Sequence, residues 1–326
     1  NKKKDYLSDG KIAIIDQSKS HIAGYTNDRN KTYKGKLPAI IFGDHTRNLK
    51  YIDFDFSLGA DGTKILVGKN NLDNKYLFFN LKSKEISDLG YSRHFKVLKK
   101  EKFKLHDSYE TKKIISYLNI FEDLIKLKMQ QKEILKNLNI KIFNEKIYNL
   151  KKNDFLYNDI IQKFVKIDYG KSLPETKRKP GKFNVYGSNG VIGSHSLYLF
   201  NKNSIIIGRK GSAGKLHYVE SPFFPIDTTF YVSKFDNQKI RLKFLFFYLD
   251  SLNLSNLILP QGVPGLRRND IYKLKIKLPS LDIQDQLINK LDQNEKINFQ
   301  IEKSINQIKI FYKNELFKIF NWNFFS

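Results

Sequence analysis

The C-terminal end of the chain carries a hydrophobic rhythm. Ile301, Ile305, Ile308, Tyr312 and Ile319 recur at three- and four-residue steps with polar residues between them, the a/d stripe of a coiled-coil seam. The middle of the chain repeats the pattern with Ile114, Leu118, Phe121 and Ile125, an interruption near Lys128, then Leu135, Leu138 and Ile142. Neither segment contains Pro or Gly over about 35 residues. At 1.5 Å rise per residue, each helix spans roughly 50 Å. Two such stripes in one chain most simply pack together antiparallel, with Leu118, Phe121, Ile125, Leu135, Leu138, Ile301, Ile305, Ile308 and Tyr312 as the packing residues.

The rest of the chain reads as short strands. Ile12–Ile15, Ala39–Phe42, Lys64–Val67 and Tyr76–Phe79 are apolar runs separated by Gly, Asn and Asp turns, and they predict a globular unit. Lys182–Tyr186, Ser204–Ile207, Lys215–Val219 and Phe230–Ser233 predict a second. The expected organisation is a unit over 1–108, a helix over 109–150, a unit over 151–279 and a helix over 280–326. The fold class is α+β: two mixed α/β units joined by two long helices.

The two units repeat each other. Gly10 to Ile14 resembles Gly181 to Val185, and Ile22-Ala23-Gly24 resembles Val191-Ile192-Gly193. Ala39 to Gly43 resembles Ile205 to Gly208, Phe56 to Asp61 resembles Phe223 to Asp227, and Gly90 to Arg93 sits opposite Gly265 to Arg268. The alternative is coincidental strand composition, but five matches keep the same order at offsets of about 165 to 175 residues. The second unit has about 20 residues before its first strand that the first lacks. Together with the missing initiator Met, that points to a start inside a longer protein.

Composition narrows the partner. At 326 residues and 40% hydrophobic, the chain is long enough for two packed domains. Its 58 Lys+Arg against 33 Asp+Glu give a net charge of +25, which implies a polyanion, with nucleic acid first and an anionic membrane surface second. No window holds the 18 or more apolar residues of a spanning helix, and no signal peptide follows the basic start, so no membrane partner is expected. Zero cysteines exclude disulfides and thiolate metal sites. A cytoplasmic protein is the expectation.

Catalytic signatures are near misses. Gly208-Arg209-Lys210-Gly211-Ser212-Ala213-Gly214-Lys215-Leu216 resembles a phosphate loop, but its spacing is one residue too long and Leu216 stands where Ser or Thr must bind magnesium. No Asn-Pro-Pro-Tyr or Asp-Pro-Pro-Tyr run of an amino-methyltransferase occurs. Asp168 with Glu175-Thr176-Lys177 mimics a nuclease's acidic pair and lysine, a short and common pattern on a basic loop. The six His, at 21, 45, 94, 106, 195 and 217, lack metal-ligand spacing. No catalytic residue and no metal site are expected.

What remains is a set of basic, Gly-rich turns after short strands, suited to nucleic acid. Ser188 and Asn189 lie in Tyr186-Gly187-Ser188-Asn189-Gly190, and Asn189 has the amide that pairs with an adenine edge. Arg209 and Lys210 offer a guanidinium and an ammonium where glycines admit the backbone to phosphates. Arg267 and Arg268 follow Gln261-Gly262-Val263-Pro264-Gly265-Leu266. Lys177 and Arg178 lie on the basic loop. In the first unit Gln17, Ser18 and Lys19, with His45 and Arg47, are the counterparts. Against each stands a bland reading, in which Gly and Asn mark tight turns and the polar groups tie loops together.

At these residues a family appears. Phe183 through Gly193, Ile207 through Gly214 and Pro225-Ile226-Asp227-Thr228 resemble the target-recognition domain of type I restriction-modification specificity subunits. Gln261 through Arg268, Ile276 to Pro279 and Gln284 to Leu291 are similar to that family's passage from recognition domain into conserved helix. The first unit resembles a different branch of the same domain through Ile15 to Ser18, Ile22 to Tyr25, Phe42 to Thr46 and Gly59 to Thr63. It departs at Phe103-Lys104-Leu105-His106, where the family commonly carries Pro. The resemblance implies two recognition domains, each reading one half of a split double-stranded DNA site, held in pseudo-twofold relation by the two antiparallel helices. It implies two methyltransferase subunits and restriction-translocase subunits as partners. S-adenosylmethionine, ATP and magnesium would sit on those partners, with no cofactor on this chain.

Two alternatives stay open on the sequence. The specificity chain of a type IIB system shares the recognition domain. A basic coiled-coil interaction scaffold would share the helices and the charge but would not bind DNA with steep salt dependence.

Overall fold

Buried apolar runs place the central strands. In the computed structural model, residues 1–59, 61–88, 90, 92–220, 222–258 and 265–321 are described. The chain divides into one unit of residues 1–130 with 302–326 and another of residues 131–301.

In the first unit, β1 (Ile12–Ile15) is the middle of a three-stranded sheet, antiparallel to β2 (Gly24–Thr26). Its other neighbour, β5 (Phe56–Leu58), runs parallel to it. The fully buried β3 (Ala39–Gly43) is the middle of a second sheet, antiparallel to β4 (Leu49–Ile52) and β6 (Thr63–Leu66). Strand side chains alternate faces, and β3 uses both. Ala39 and Ile41 join Ala13, Ile15 and Phe56 in one apolar cluster. Ile40 and Phe42 join Tyr76, Phe79, Leu118 and Tyr312 in another.

Tyr76–Phe79 is not the strand that its aromatics predict. It lies within α1 (Asn74–Lys82). Asp73 caps that helix, its carboxylate accepting from the N–H groups of Lys75 at 2.7 Å and Tyr76 at 3.1 Å. β-propensity reflects fit to a half-buried surface, and here the cap and the helical burial of Tyr76, Phe79 and Leu81 win. A short α2 (Phe95–Leu98) precedes α3 (Ser108–Tyr148), 41 residues long.

The second unit repeats this plan. β7 (Phe155–Ile160) and β8 (Val165–Tyr169) come first. β9 (Phe183–Gly187) is then antiparallel to β10 (Gly190–His195). On its other side it is parallel to β13 (Phe223–Pro225). The fully buried β11 (Ser204–Gly208) is antiparallel to β12 (Leu216–Val219) and to β14 (Thr229–Phe235). β14 also pairs with β8. Ile206 faces Val219 and Phe223, while Ile205 and Ile207 share a cluster with Phe244, Leu245 and Leu249 of α4 (Leu242–Ser251). Then come α5 (Arg268–Tyr272), β15 (Lys275–Pro279), which pairs with β7, and α6 (Leu281–Asn321), again 41 residues. The sheet orders β2-β1-β5 and β4-β3-β6 thus recur as β10-β9-β13 and β12-β11-β14. β7, β8 and β15 have no counterpart among the described residues of the first unit.

Both long helices contribute to both units. In the first, Tyr117 donates to Glu315 at 3.1 Å and Phe121 stacks on Tyr312 at 5.5 Å. Advancing along α3 therefore means retreating along α6, so this stretch is antiparallel. Ile125 and Ile308 are half-buried beside it and Ile305 is buried. α3 continues unbroken through Lys128. In the second unit Leu135 is half-buried and Ile301 buried. Leu138, expected in the seam, is instead 42% exposed, and Asn139 turns inward at 4%. With 3.6 residues per turn, the four-residue step from Leu135 lands on Asn139 rather than Leu138. Its amide binds Glu295, which lets a polar residue hold that position.

Candidate nucleic-acid interface

Strand β11 delivers a basic, glycine-rich turn. Gly208 ends the strand, where a Cβ would meet the Ser212 carbonyl oxygen at 2.2 Å. Gly211 and Gly214 have φ of 72° and 84°, the left-handed region that favours glycine. Main-chain bonds fix the turn: Gly214 N–H to the Gly208 carbonyl at 2.8 Å, Arg209 N–H to the Thr228 carbonyl at 2.9 Å, and Leu266 N–H to the Arg209 carbonyl at 2.9 Å. Lys210 bridges to Gly265. This places Arg209 and Lys210 beside Arg267 and Arg268 of the segment entering α5.

Two of those cations share one ring. The guanidinium carbons of Arg209 and Arg268 lie 5.1 and 4.9 Å from the centroid of Tyr169. Arg209 Nη1 donates to the Asp227 carbonyl at 3.1 Å, and Arg268 Nη1 to the Ile167 carbonyl at 3.2 Å. Tyr169 itself packs edge-on against buried Phe230 at 5.0 Å. Lys210 and Arg267 are exposed.

The β9–β10 hairpin joins this corner. Ser188 lies under the turn, its Oγ 3.4 Å from where a Gly211 Cβ would stand. Asn189 is exposed, but its Oδ1 accepts from Lys215 Nζ at 2.8 Å. A bidentate adenine contact needs both ends of the amide, so Asn189 Oδ1 would have to share its two lone pairs between Lys215 and the base. Arg178 donates to the Ile192 carbonyl at 2.8 Å and braces the hairpin, whereas Lys177 is exposed and stands apart.

In the first unit the equivalent residues are tied inward. The Gln17 amide accepts from His45 N–H at 3.2 Å and donates to the Asp61 carbonyl at 3.0 Å. Its own carbonyl accepts from Thr46 Oγ1 at 2.6 Å and Asn48 Nδ2 at 2.9 Å. Ser18 N–H is held by Asp16 at 2.9 Å. Buried Lys50 donates to the Asp16 carbonyl at 2.7 Å, and burial lowers the pKa of its ammonium. Arg47 adopts a left-handed φ of 59° and donates to the Asp88 carboxylate and the Ile86 carbonyl. Gln17 and Arg47 are therefore structural ties in this unit, and Lys19 stays exposed.

Sequence reasoning missed Tyr169 and Lys215. Each gains its place only through partners from distant strands. Of the sequence motifs, Ala60, Tyr91 and Gln261 to Pro264 lie outside the described residues. Among the described residues, no group of three or more His, Asp or Glu could hold a metal ion, and no helix is long and apolar enough to cross a membrane.

Comparison with known proteins finds relatives of this chain. Residues 158–309 match the family model of the type I restriction modification DNA specificity domain. The curated specificity subunit of the type I restriction enzyme EcoR124I/EcoR124II of Escherichia coli is 31% identical over 99 residues. That match covers 29% of this chain and spans about a quarter of the relative, 24% of its length. The crystal structure of the type I restriction-modification system S subunit from M. genitalium superposes with a TM-score of 0.54 at 17% identity, covering 98% of this chain and 91% of that one. Residues 158–309 thus resemble a type I restriction modification DNA specificity domain, and the chain shares the fold of the M. genitalium S subunit.

Proposed function

We propose that this chain is the DNA-recognition subunit of a type I restriction-modification complex, a cytoplasmic protein that catalyses nothing itself. The module over 1–108 and the module over 151–279 each read one half of a bipartite double-stranded site. The helical segments 109–150 and 280–326 set the unread spacer between the halves. Two methyltransferase subunits and the restriction-translocase subunits dock on the chain, and S-adenosylmethionine, ATP and magnesium belong to them. The methyltransferase flips the target adenine out of the stack, because the reacting atom is unreachable inside a duplex.

The observation that carries this reading is the repeat. The same pair of sheets occurs twice, and in each copy a turn follows the central strand, after Gly43 in one and Gly208 in the other. A single-site reader has no use for two copies. The helices also keep apolar groups exposed at three- and four-residue steps: Ile120, Leu124 and Leu127 in the first unit, Ile134 and Leu138 in the second. Such a stripe supports docking of partner helices.

Mapping of adenine methylation across the genome, with and without this gene, tests the proposal. The expected result is loss of methylation at one two-part motif. Methylation unchanged by the deletion would sink it. The purified chain should bind duplex DNA with affinity that falls steeply between low and moderate salt.

A further inference from the structure

We infer that Arg209 and Arg268, gathered on the ring of Tyr169, form a clamp for the DNA sugar-phosphate backbone in the second unit, and that the first unit has no such clamp at the same place in its repeat. The inference rests on the DNA-recognition reading and assigns these residues to backbone contact rather than base reading.

Two guanidiniums at 5.1 and 4.9 Å from one ring centroid concentrate positive charge at one place, which an anion between or beside them offsets. Among the described residues, neither forms an ion pair. The acid next in sequence, Asp168, pairs with Lys166 at 3.4 Å. Asp227 gives Arg209 only its main-chain carbonyl. The ring attracts both cations and, at 45% exposed, stands at the surface. Each guanidinium has one arm fixed on a carbonyl, which leaves the other arm to an incoming anion. The planar fork matches phosphate oxygens. Arms anchored to the main chain of β8 and of the Asp227 turn hold the cations close to the protein surface. Residues so held position a duplex and do not reach base edges.

The first unit shows the same frame with the opposite charge. Asp44 N–H donates to the Gly62 carbonyl at 2.7 Å, as Arg209 N–H does to Thr228. The Asp44 carbonyl accepts from His94 N–H at 2.8 Å, as that of Arg209 does from Leu266. The Asp44 side chain is 2% exposed, and its carboxylate accepts from Phe95 N–H at 2.8 Å. A buried acid therefore stands where the second unit puts a half-buried cation. No counterpart of β8, and so of Tyr169, occurs among the described residues there.

The test is the salt dependence of the full chain on a random-sequence duplex, read as the slope of log affinity against log salt. Arg209→Gln and Arg268→Gln should each reduce the slope by about 0.9 for every phosphate that is no longer neutralised. Arg209→Lys and Tyr169→Phe should leave it near wild type. If a glutamine variant melts early, Arg209→Met, which keeps the stem on the ring, gives the same readout. Unchanged slopes in folded variants of a wild type that does bind overturn the clamp and leave DNA recognition standing. Loss of preference for the methylated site with an unchanged slope also overturns it, because the arginines would then read bases. A wild type without salt-dependent binding removes both the clamp and the reading beneath it.

Discussion

Asn139 donates to Oε1 of Glu295 at 3.0 Å from within the helical seam of the second unit. Asn294 donates to Asn139 Oδ1 at 2.8 Å, and Asn298 donates to the same Glu295 oxygen at 3.4 Å. A polar set thus interrupts an otherwise apolar stripe. Buried amides in a seam fix helix register at a cost in stability.

Glu295 bears that cost. Burial raises its pKa, and the hydrogen bonds from Asn298 and Asn139 only partly oppose the shift. The folded protein therefore holds the proton more tightly than the unfolded chain does. Its contribution to stability is lost as pH rises from the ordinary carboxylate value of 4.5 toward the raised folded value. Glu295→Gln keeps an acceptor for both amides without the charge. We expect it to melt above wild type at neutral pH, with the gap narrowing as pH falls through the raised folded value toward about 4.5. Thermal melts across that range decide it, and a variant that melts below wild type at pH 7 would count against it.

Glu122 in the first unit titrates in the opposite sense. Its carboxylate accepts from Lys75 at 2.9 Å, Lys82 at 2.9 Å and the Tyr312 hydroxyl at 3.1 Å. Burial pushes its pKa up, but the two ammonium groups prevail and hold it below the usual value. This stabilisation is present above the ordinary value of 4.5 and is lost as pH falls through the folded value. Glu122→Ala strands Tyr312 and Lys75, and should cost roughly 1–3 kcal/mol in chemical denaturation. The deficit should shrink in acid.

Arg47 offers a test of architecture against recognition. Its pair with Asp88 is partly exposed, and such pairs contribute up to about 1 kcal/mol. Arg47→Ala should lower stability by about that much and leave the salt slope of DNA binding intact. A slope reduced by about one unit would instead make Arg47 a phosphate ligand.

If the helices set the spacer, one added heptad in each lengthens them by about 10 Å, equivalent to about three base pairs. The methylated motif should keep both half-sites and gain spacer. An unaltered motif refutes the ruler.

Legibility in the sequence follows burial. β1, β3 and β11 are unbroken apolar runs with both faces covered, so the pattern alone finds them. α1 does not announce itself, because Tyr76, Phe78 and Phe79 suit a strand and only the Asp73 cap and the packing around them decide. Asn139 escapes because heptad spacing allows Leu138 as readily. At the interface, glycines reveal the turns. The clamp stays hidden, because Tyr169 meets Arg209 and Arg268 only after strands from three parts of the chain pair. Nor does the sequence reveal that the Gln17 amide is occupied at both ends.

The main-chain bonds that hold Asp44 in one unit and Arg209 in the other match, while each side chain adds its own tie, the Asp44 carboxylate to Phe95 N–H and the Arg209 guanidinium to the Asp227 carbonyl. Peptide groups are the same whatever residue is encoded, so one main-chain frame carries a buried acid in the first unit and a half-buried cation in the second. The same backbone geometry thus serves two opposite electrostatic roles within one chain.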